Sequence, residues 1–221
     1  MSSQPAPSVV PDPSSDLDAI TAVLAGHRQG FAVLVRRHNQ AMFRACRAVL
    51  GNDTDAEDAV QVAWINAYRA LATFRAESTF RTWVTRIAVN EASSRLRHRR
   101  RLSAIPIEET TMEQVSSPER DVQTSELSRL LEQQIDLLPE GMRTVLVLRD
   151  IIELDTAETA ACLGIGEENV RVRLHRARQT LASSLLPMVI DHTAAPVWRF
   201  DGERCARVLA HVMGRIAADA R

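Results

Sequence analysis

A set of polar side chains between residues 167 and 178 has the types and spacing needed to contact DNA. In the major groove, Glu can accept from cytosine, Asn can pair with adenine, and Arg can pair with guanine or with phosphate. Val170, Leu174, Ala177 and Leu181 follow one another at intervals of four, three and four, which predicts one buried stripe on a helix. The faces that this stripe leaves free carry Glu167, Glu168, Asn169, Arg171, Arg173, His175, Arg176 and Arg178. We therefore predict a DNA-reading helix, against the alternative of a solvated helix in an ordinary bundle.

A short helix and a glycine-containing turn precede this segment. Residues 156–163 carry apolar residues at helical spacing, and Gly164-Ile165-Gly166 follows as a turn with an apolar residue at its centre. A longer helix then runs from Glu167 to about Leu185. A short helix, such a turn and a second helix with a basic exposed face are typical of a helix-turn-helix motif.

A second candidate nucleic-acid surface lies at residues 74–101. Between residues 75 and 101 the chain has eight arginines against two acids, and apolar residues at helical spacing predict a helix that Ser78 or Thr79 caps. The preceding loop combines Phe74 with Arg75 and Ser78, which are residue types that can receive an unstacked base. The alternative is a solvated helix end whose arginines complement the helix dipole.

The segment just before this loop has the opposite charge. From residue 53 to residue 68 the segment contains four acidic residues and no Arg: Asp53, Asp55, Glu57 and Asp58. The apolar residues from Val60 to Leu71 predict an amphipathic helix. Acids near a helix N-terminus are also favoured by the dipole alone. Beside two DNA-facing elements, however, an acidic face of this kind favours a protein partner.

Other classes of function find little support in the sequence. It has no phosphate-binding glycine loop, no nucleophile constellation and no carboxylate pair with metal-ligating partners, so we predict no catalytic residue, no cofactor and no enzyme activity. His192, Cys205 and His211 match no common zinc spacing, so no metal site is predicted. An odd number of distant cysteines, no signal peptide and no apolar run of membrane-spanning length predict a cytoplasmic protein without membrane contact of its own.

Helix-forming residues dominate the composition and no segment alternates like a strand, so the predicted fold class is all-α. We expect two helical domains joined by a flexible acidic linker. The predicted boundaries are a disordered tail at 1–15, a first domain at 16–101, the linker at 102–122, a helix-turn-helix domain at 123–186, and a C-terminal helical extension at 187–221. We expect this extension to pack on the second domain.

Several motifs together resemble bacterial sigma factors. Phe31-Ala-Val-Leu-Val-Arg-Arg-His, Asp55-Ala-Glu-Asp-Ala-Val-Gln, Phe80-Arg-Thr-Trp-Val and Ile87-Ala-Val-Asn are similar to sigma region 2. Leu138-Pro-Glu, Glu158-Thr-Ala-Ala, Leu163-Gly-Ile and Val170-Arg-Val-Arg-Leu-His-Arg-Ala-Arg are similar to region 4. Two such regions with a short linker resemble the extracytoplasmic-function (ECF) group.

The resemblance implies a promoter-specificity subunit that binds core RNA polymerase and promoter DNA, with control by an anti-sigma protein. It implies that the acidic helix docks on core polymerase through Asp55, Glu57, Asp58 and Gln61. The melted −10 strand would be bound by Phe74, Arg75, Ser78, Thr79, Arg81, Arg86, Asn90, Arg95 and Arg97. The duplex −35 element would be read by Glu167, Glu168, Asn169, Arg171, Arg173, His175 and Arg176. The alternative is a dimeric helix-turn-helix regulator that is not part of the polymerase. For the C-terminal extension, the alternative to packing on the second domain is a docking helix for a regulator or a polymerase subunit.

Overall fold

The computed structural model describes residues 15–103, 126–185, 197–200 and 202–219, and every regular element in these ranges is helical. The all-α prediction is therefore confirmed. Nearly all of the predicted tail, nearly all of the predicted linker and residues 186–196 lie outside the described residues. The helices in chain order are α1 (Asp16–Leu24), α2 (Gln29–Leu50), α3 (Asp53–Ala70), α4 (Phe80–Ser103), α5 (Glu126–Asp136), α6 (Glu140–Leu146), α7 (Thr156–Leu163), α8 (Glu167–Leu185) and α9 (Gly202–Ala218).

Helices α1 to α4 form one bundle around α2, which is buried on most of its surface. Trp64 of α3 lies at the centre, where its ring packs edge-on against Phe31 at 5.6 Å. Its indole nitrogen donates to Asn39 Oδ1 at 2.9 Å, so this buried polar group is satisfied. The bundle therefore holds the acidic α3 and the basic α4 as rigid neighbours on α2.

Polar side chains cap three of these helices. Ser15 caps α1, with Asp18 completing a capping box. Asn52 caps α3, accepting from the Asp55 amide at 2.8 Å. Thr79 caps α4 as one of the two predicted alternatives, since its hydroxyl accepts from the Thr82 amide at 3.1 Å.

Helices α5 to α8 form the second bundle. Helix α6 continues directly into a π-helical turn, Val147–Ile151, which widens the helix before the chain turns. Asp155 caps α7 through a capping box with Glu158, and Gly164 ends α7 in the left-handed conformation at φ 64°. This left-handed residue turns the chain into α8, so α7 and α8 form the predicted helix-turn-helix.

The C-terminal extension packs on the first bundle. Helix α9 lies along α3 and α2, with Val208, Val212 and Ile216 buried in the contact. Our expectation that it packs on the second domain was wrong. An apolar stripe at helical spacing predicts that one face is buried but carries no information about which surface covers it.

The two bundles also contact each other directly. Arg143 of α6 donates to the Ala48 carbonyl of α2 at 2.7 Å. Arg47 of α2 pairs with Asp136 at the end of α5 at 2.7 Å, and Arg100 of α4 pairs with Glu140 at 2.7 Å. These contacts hold the helix-turn-helix bundle against the C-terminal ends of α2 and α4.

Candidate functional site

Helix α8 presents the predicted base-reading face to solvent. Val170, Leu174 and Ala177 are buried against the rest of the second bundle, as their spacing predicts. The structure brings the whole predicted −35 set together on the opposite faces. Those side chains are exposed except for a half-buried Arg173: Glu167, Glu168, Asn169, Arg171, Arg173, His175 and Arg176.

Several of these side chains pair with one another along the helix. Arg171 contacts Glu167 at 2.9 Å and Glu168 at 3.2 Å, and Arg173 Nε donates to Asn169 Oδ1 at 2.8 Å. Exposed pairs of this kind contribute little to stability, so base edges and phosphates can replace them at small cost. The N-terminal half of α8 is therefore free to exchange internal partners for DNA.

Arg178 differs from the arginines before it. Its guanidinium makes a two-point contact with Asp150, at 2.6 and 2.8 Å. The hydrogen bond to Asp150 raises the pKa of Arg178 above its ordinary value. This pair ties α8 to the π-helical turn, which indicates a positioning role for Arg178.

The loop between the acidic and basic helices presents polar side chains around a packed aromatic residue. Phe74 is half-buried and packs against Phe80 and Trp83, at centroid distances of 5.7 and 5.4 Å. Arg75 and Ser78, which follow it in the chain, are exposed. The loop can therefore present a guanidinium and a hydroxyl group to a base, while in this conformation the Phe74 ring is packed in a cluster with Phe80 and Trp83.

Helix α4 carries the other predicted −10 residues in differing environments. Arg86, Asn90 and Arg97 are exposed, whereas Arg81 is half-buried. Arg95 pairs with Glu91 at 2.7 Å and donates to the Asp58 carbonyl at 3.2 Å.

The second bundle covers part of α4. Thr82 Oγ1 donates to Glu158 Oε1 at 2.6 Å, so α7 sits on the N-terminal half of this helix. Near this contact, burial raises the pKa of the Cys162 thiol to about 12. The predicted −10 surface is thus only partly accessible in this arrangement.

The four predicted polymerase-binding residues of α3 differ in what they contact. Asp55 pairs with Arg99 at 2.6 Å, and Glu57 pairs with Arg204 of α9 at 2.6 Å. Asp58 is exposed and Gln61 is half-buried. Helix α9 therefore covers one flank of the acidic helix, and Asp58 remains open to solvent on another.

The sequence analysis missed the segment 197–200, which contacts both bundles. Trp198 is buried, and its backbone amide donates to Glu132 of α5 at 2.7 Å. Its carbonyl accepts from Gln40 of α2 at 2.7 Å. The signal that could have indicated this docking is the run Val197-Trp198-Arg199-Phe200, which places three large apolar residues together after a proline.

Two negative findings apply to the described part of the chain. There, no group of three or more His, Cys, Asp or Glu side chains is placed to hold a metal ion. No helix in the same ranges has the length and apolarity required to cross a membrane.

Comparison with known proteins gives matches over both bundles. The sigma-70 region 2 family matches residues 34–102, and the sigma-70 region 4 family matches residues 128–181. The RNA polymerase sigma-H factor of Pseudomonas aeruginosa is 31% identical over 184 residues, which cover 79% of this chain and 95% of that protein. The ECF RNA polymerase sigma factor SigW of Bacillus subtilis is 33% identical over 176 residues, covering 75% of this chain and 94% of that protein.

Among solved structures, the chain is similar to CnrH in a complex with the cytosolic domain of CnrY. The identity is 28% and the TM-score is 0.55, with 79% of this chain and 99% of that chain covered.

Proposed function

This chain belongs to the ECF group of RNA polymerase sigma factors, and on that premise we propose which of its surfaces bind polymerase and promoter. As a sigma factor it directs promoter-specific transcription initiation and is not an enzyme. The alternative of a dimeric regulator outside the polymerase is not favoured, because both sigma regions match in order along one chain.

The observation that carries our assignment is the segregation of side chains on α8 and α3. Helix α8 buries its apolar stripe and exposes a polar face rich in arginine, which suits the major groove of the −35 element. Helix α3 buries Trp64 and exposes Asp58 on a different face, which suits docking on core polymerase. We assign Gln61 and the flanking acids Asp55 and Glu57 to the same docking surface.

We assign the loop 74–79 and the exposed side of α4 to the melted −10 strand. Unstacking a base costs about a few kcal/mol, which stacking and charged contacts in a pocket offset. To stack its ring face on a base, Phe74 would have to leave its partners Phe80 and Trp83. In its present position it could contact a base only through its ring edge. The exposed Arg86 and Arg97 supply phosphate contacts, which should make promoter binding depend strongly on salt.

The remaining assignments concern partners and location. We propose that the chain acts in the cytoplasm and that an anti-sigma protein controls it, as the complex of its structural relative CnrH with CnrY suggests. We also propose that the five predicted segments are the functional units of the chain. The C-terminal extension is assigned to region 2, because α9 packs on α2 and α3.

The test is co-elution with core polymerase, using a substitution chosen from the structure. A triple change of the acids in α3 would also break the pairs that Asp55 and Glu57 make with Arg99 and Arg204. We therefore choose Asp58→Ala, whose side chain is exposed, with the exposed Glu153→Ala as control. Asp58→Ala should weaken co-elution and run-off transcription, and Glu153→Ala should not. Equal co-elution of wild type and Asp58→Ala would remove Asp58 from the docking surface.

A second variant separates promoter recognition from polymerase binding. Arg176 is exposed on α8 and lies far from the acidic helix in sequence. Arg176→Ala should co-elute with polymerase like the wild type and lose transcription from promoters that need a −35 element. Loss of co-elution with Arg176→Ala would contradict the division of roles between the two regions.

A further inference from the structure

We propose that residues 197–200 and 202–219 form an intramolecular latch, which holds the two sigma regions together and competes with core polymerase for the acidic helix. The competition rests on the docking surface assigned above, whereas the holding together of the two regions rests on the geometry of the latch alone.

The first part of the latch bonds to both regions through its main chain. The Val197 carbonyl accepts from Arg44 Nε at 2.8 Å, and the side chain of Gln40 bonds to the Trp198 carbonyl and the Phe200 amide at 2.7 and 2.6 Å. Arg44 and Gln40 belong to α2 in region 2. Because the Trp198 amide also donates to Glu132 of region 4, the segment spans the contact between the regions.

Two aromatic side chains anchor this segment. Phe200 is buried and stacks on Phe43 of α2, with a centroid distance of 4.2 Å and an angle of 10° between the rings. The guanidinium of Arg47 lies over the Trp198 ring, 4.9 Å from its centroid. Arg47 itself pairs with Asp136 of region 4, so Trp198 packs beside an ion pair that joins the two regions.

The second part of the latch is α9, which covers one flank of the acidic helix. Arg204 contacts Glu57 at 2.6 Å and Asp53 at 3.3 Å, and Arg207 approaches the other oxygen of Glu57 at 3.7 Å. At the far end of α3, Arg69 pairs with Asp219 at 2.7 Å. Both carboxylate oxygens of Glu57 are therefore engaged by α9, and polymerase can use this carboxylate only after α9 has moved.

The latch also has features that favour release. Trp198 adopts φ 45°, a left-handed conformation that a bulky side chain rarely takes. Among the residues that the structure describes, the buried Trp198 Nε1 and Arg204 Nη2 have no hydrogen-bond partner. Strain and unpaired polar groups at the contact lower the cost of opening, which is what a displaceable segment requires.

The expected consequence is a reduced apparent affinity for polymerase. When only a fraction of the protein is in the binding-competent state, the apparent affinity equals the intrinsic affinity multiplied by that fraction. Minor states commonly hold about 0.1–10% of the population. Release of the latch should therefore tighten polymerase binding by about tenfold or more.

The test compares two latch variants with a matched control in the full-length chain. Trp198→Ala removes the ring that packs beside the Arg47–Asp136 ion pair, and Arg204→Glu reverses the charge that faces Asp53 and Glu57. Arg215→Glu makes the same change at an exposed position of α9. Affinity for purified core polymerase is measured by fluorescence polarisation, and the radius of gyration of each free chain is measured by small-angle X-ray scattering.

We expect Trp198→Ala to be more extended and both latch variants to bind polymerase about tenfold or more tightly. Arg215→Glu should behave like the wild type. If Trp198→Ala loses helicity, Arg204→Glu decides the result. The proposal is overturned if Arg204→Glu stays compact with unchanged affinity, or opens without binding more tightly. Weaker binding also overturns it, because α9 would then be part of the docking surface. An error in the proposed docking surface would be detected separately: Asp58→Ala would then bind core polymerase like the wild type.

Discussion

Replacing Arg47 with Met tests how the two sigma regions are held together. The Arg47 side chain is only 4% exposed, and it pairs with Asp53 of α3 and Asp136 of α5, both at 2.7 Å. Methionine keeps most of the aliphatic stem and removes the charge, so the change deletes both ion pairs with little loss of packing. Asp53 keeps its ion pair with Arg204, whereas Asp136 loses the charge of Arg47.

The magnitude follows from the burial of the three groups. Removing one member of a buried ion pair costs about 3–5 kcal/mol, because the other charge stays buried without compensation. The two aspartates are 21% and 31% exposed, so water relieves part of that cost. We therefore expect Arg47→Met to lower the free energy of unfolding by about 3 kcal/mol, the lower end of that range.

The assay is urea unfolding near neutral pH, followed by tryptophan fluorescence. Arg36→Met, at an exposed position on the same helix, should change stability by less than about 1 kcal/mol. Arg47→Lys keeps the charge but not the two-sided geometry, so it should fall between the wild type and Arg47→Met. If Arg47→Met matches Arg36→Met, desolvation of the buried guanidinium cancels its ion pairs and our reasoning about this contact is refuted.

Two further predictions concern titratable side chains. Burial lowers the pKa of His38 below its ordinary value of 6.5 despite the nearby Asp16, so the unfolded chain binds the proton more readily than the folded one. The free energy of unfolding should therefore fall as pH drops below about 6.5. His38→Gln should reduce this loss, measured as the pH dependence of the thermal unfolding midpoint. Burial raises the pKa of Cys46 and of Cys162, so a disulfide reagent should modify the half-buried Cys205 first. Equal rates at all three thiols in the folded chain would contradict this order.

The helices and their buried faces could be predicted because local spacing determines them. Val170, Leu174 and Ala177 recur at helical intervals, and all three are buried in the structure. Caps were less predictable, since Asn52 and Asp53 are both favoured at an N-cap and only the backbone conformation decides between them. Asn52 has the extended conformation of a cap, with φ −145°, whereas Asp53 is already helical.

The contacts between the regions could not be predicted from the sequence. Arg143 bonds to the Ala48 carbonyl, and every residue has a carbonyl, so no sequence pattern marks the acceptor. The extension was placed on the wrong domain for a similar reason, because the apolar face of α9 would fit either bundle. The side chains that determine its position are charged: Arg204 and Arg207 face Glu57, and this complementarity between distant segments is visible only once both helices are placed.

Under our assignment of α4 to the −10 strand, the arginines of this helix would serve two purposes. In the arrangement described here Arg99 pairs with Asp55 of region 2 and Arg100 pairs with Glu140 of region 4, so under that assignment carboxylates occupy arginines that phosphates could otherwise contact. Exchanging an exposed carboxylate for a phosphate changes the energy of each arginine little, because both anions accept the same charged hydrogen bonds. Of these two pairs only Arg100–Glu140 involves region 4, so we expect DNA contacts of Arg100 to depend on whether region 4 has moved away from α4. Because polymerase must also displace α9 under the proposed latch, a single opening step would control polymerase binding and access to promoter DNA together.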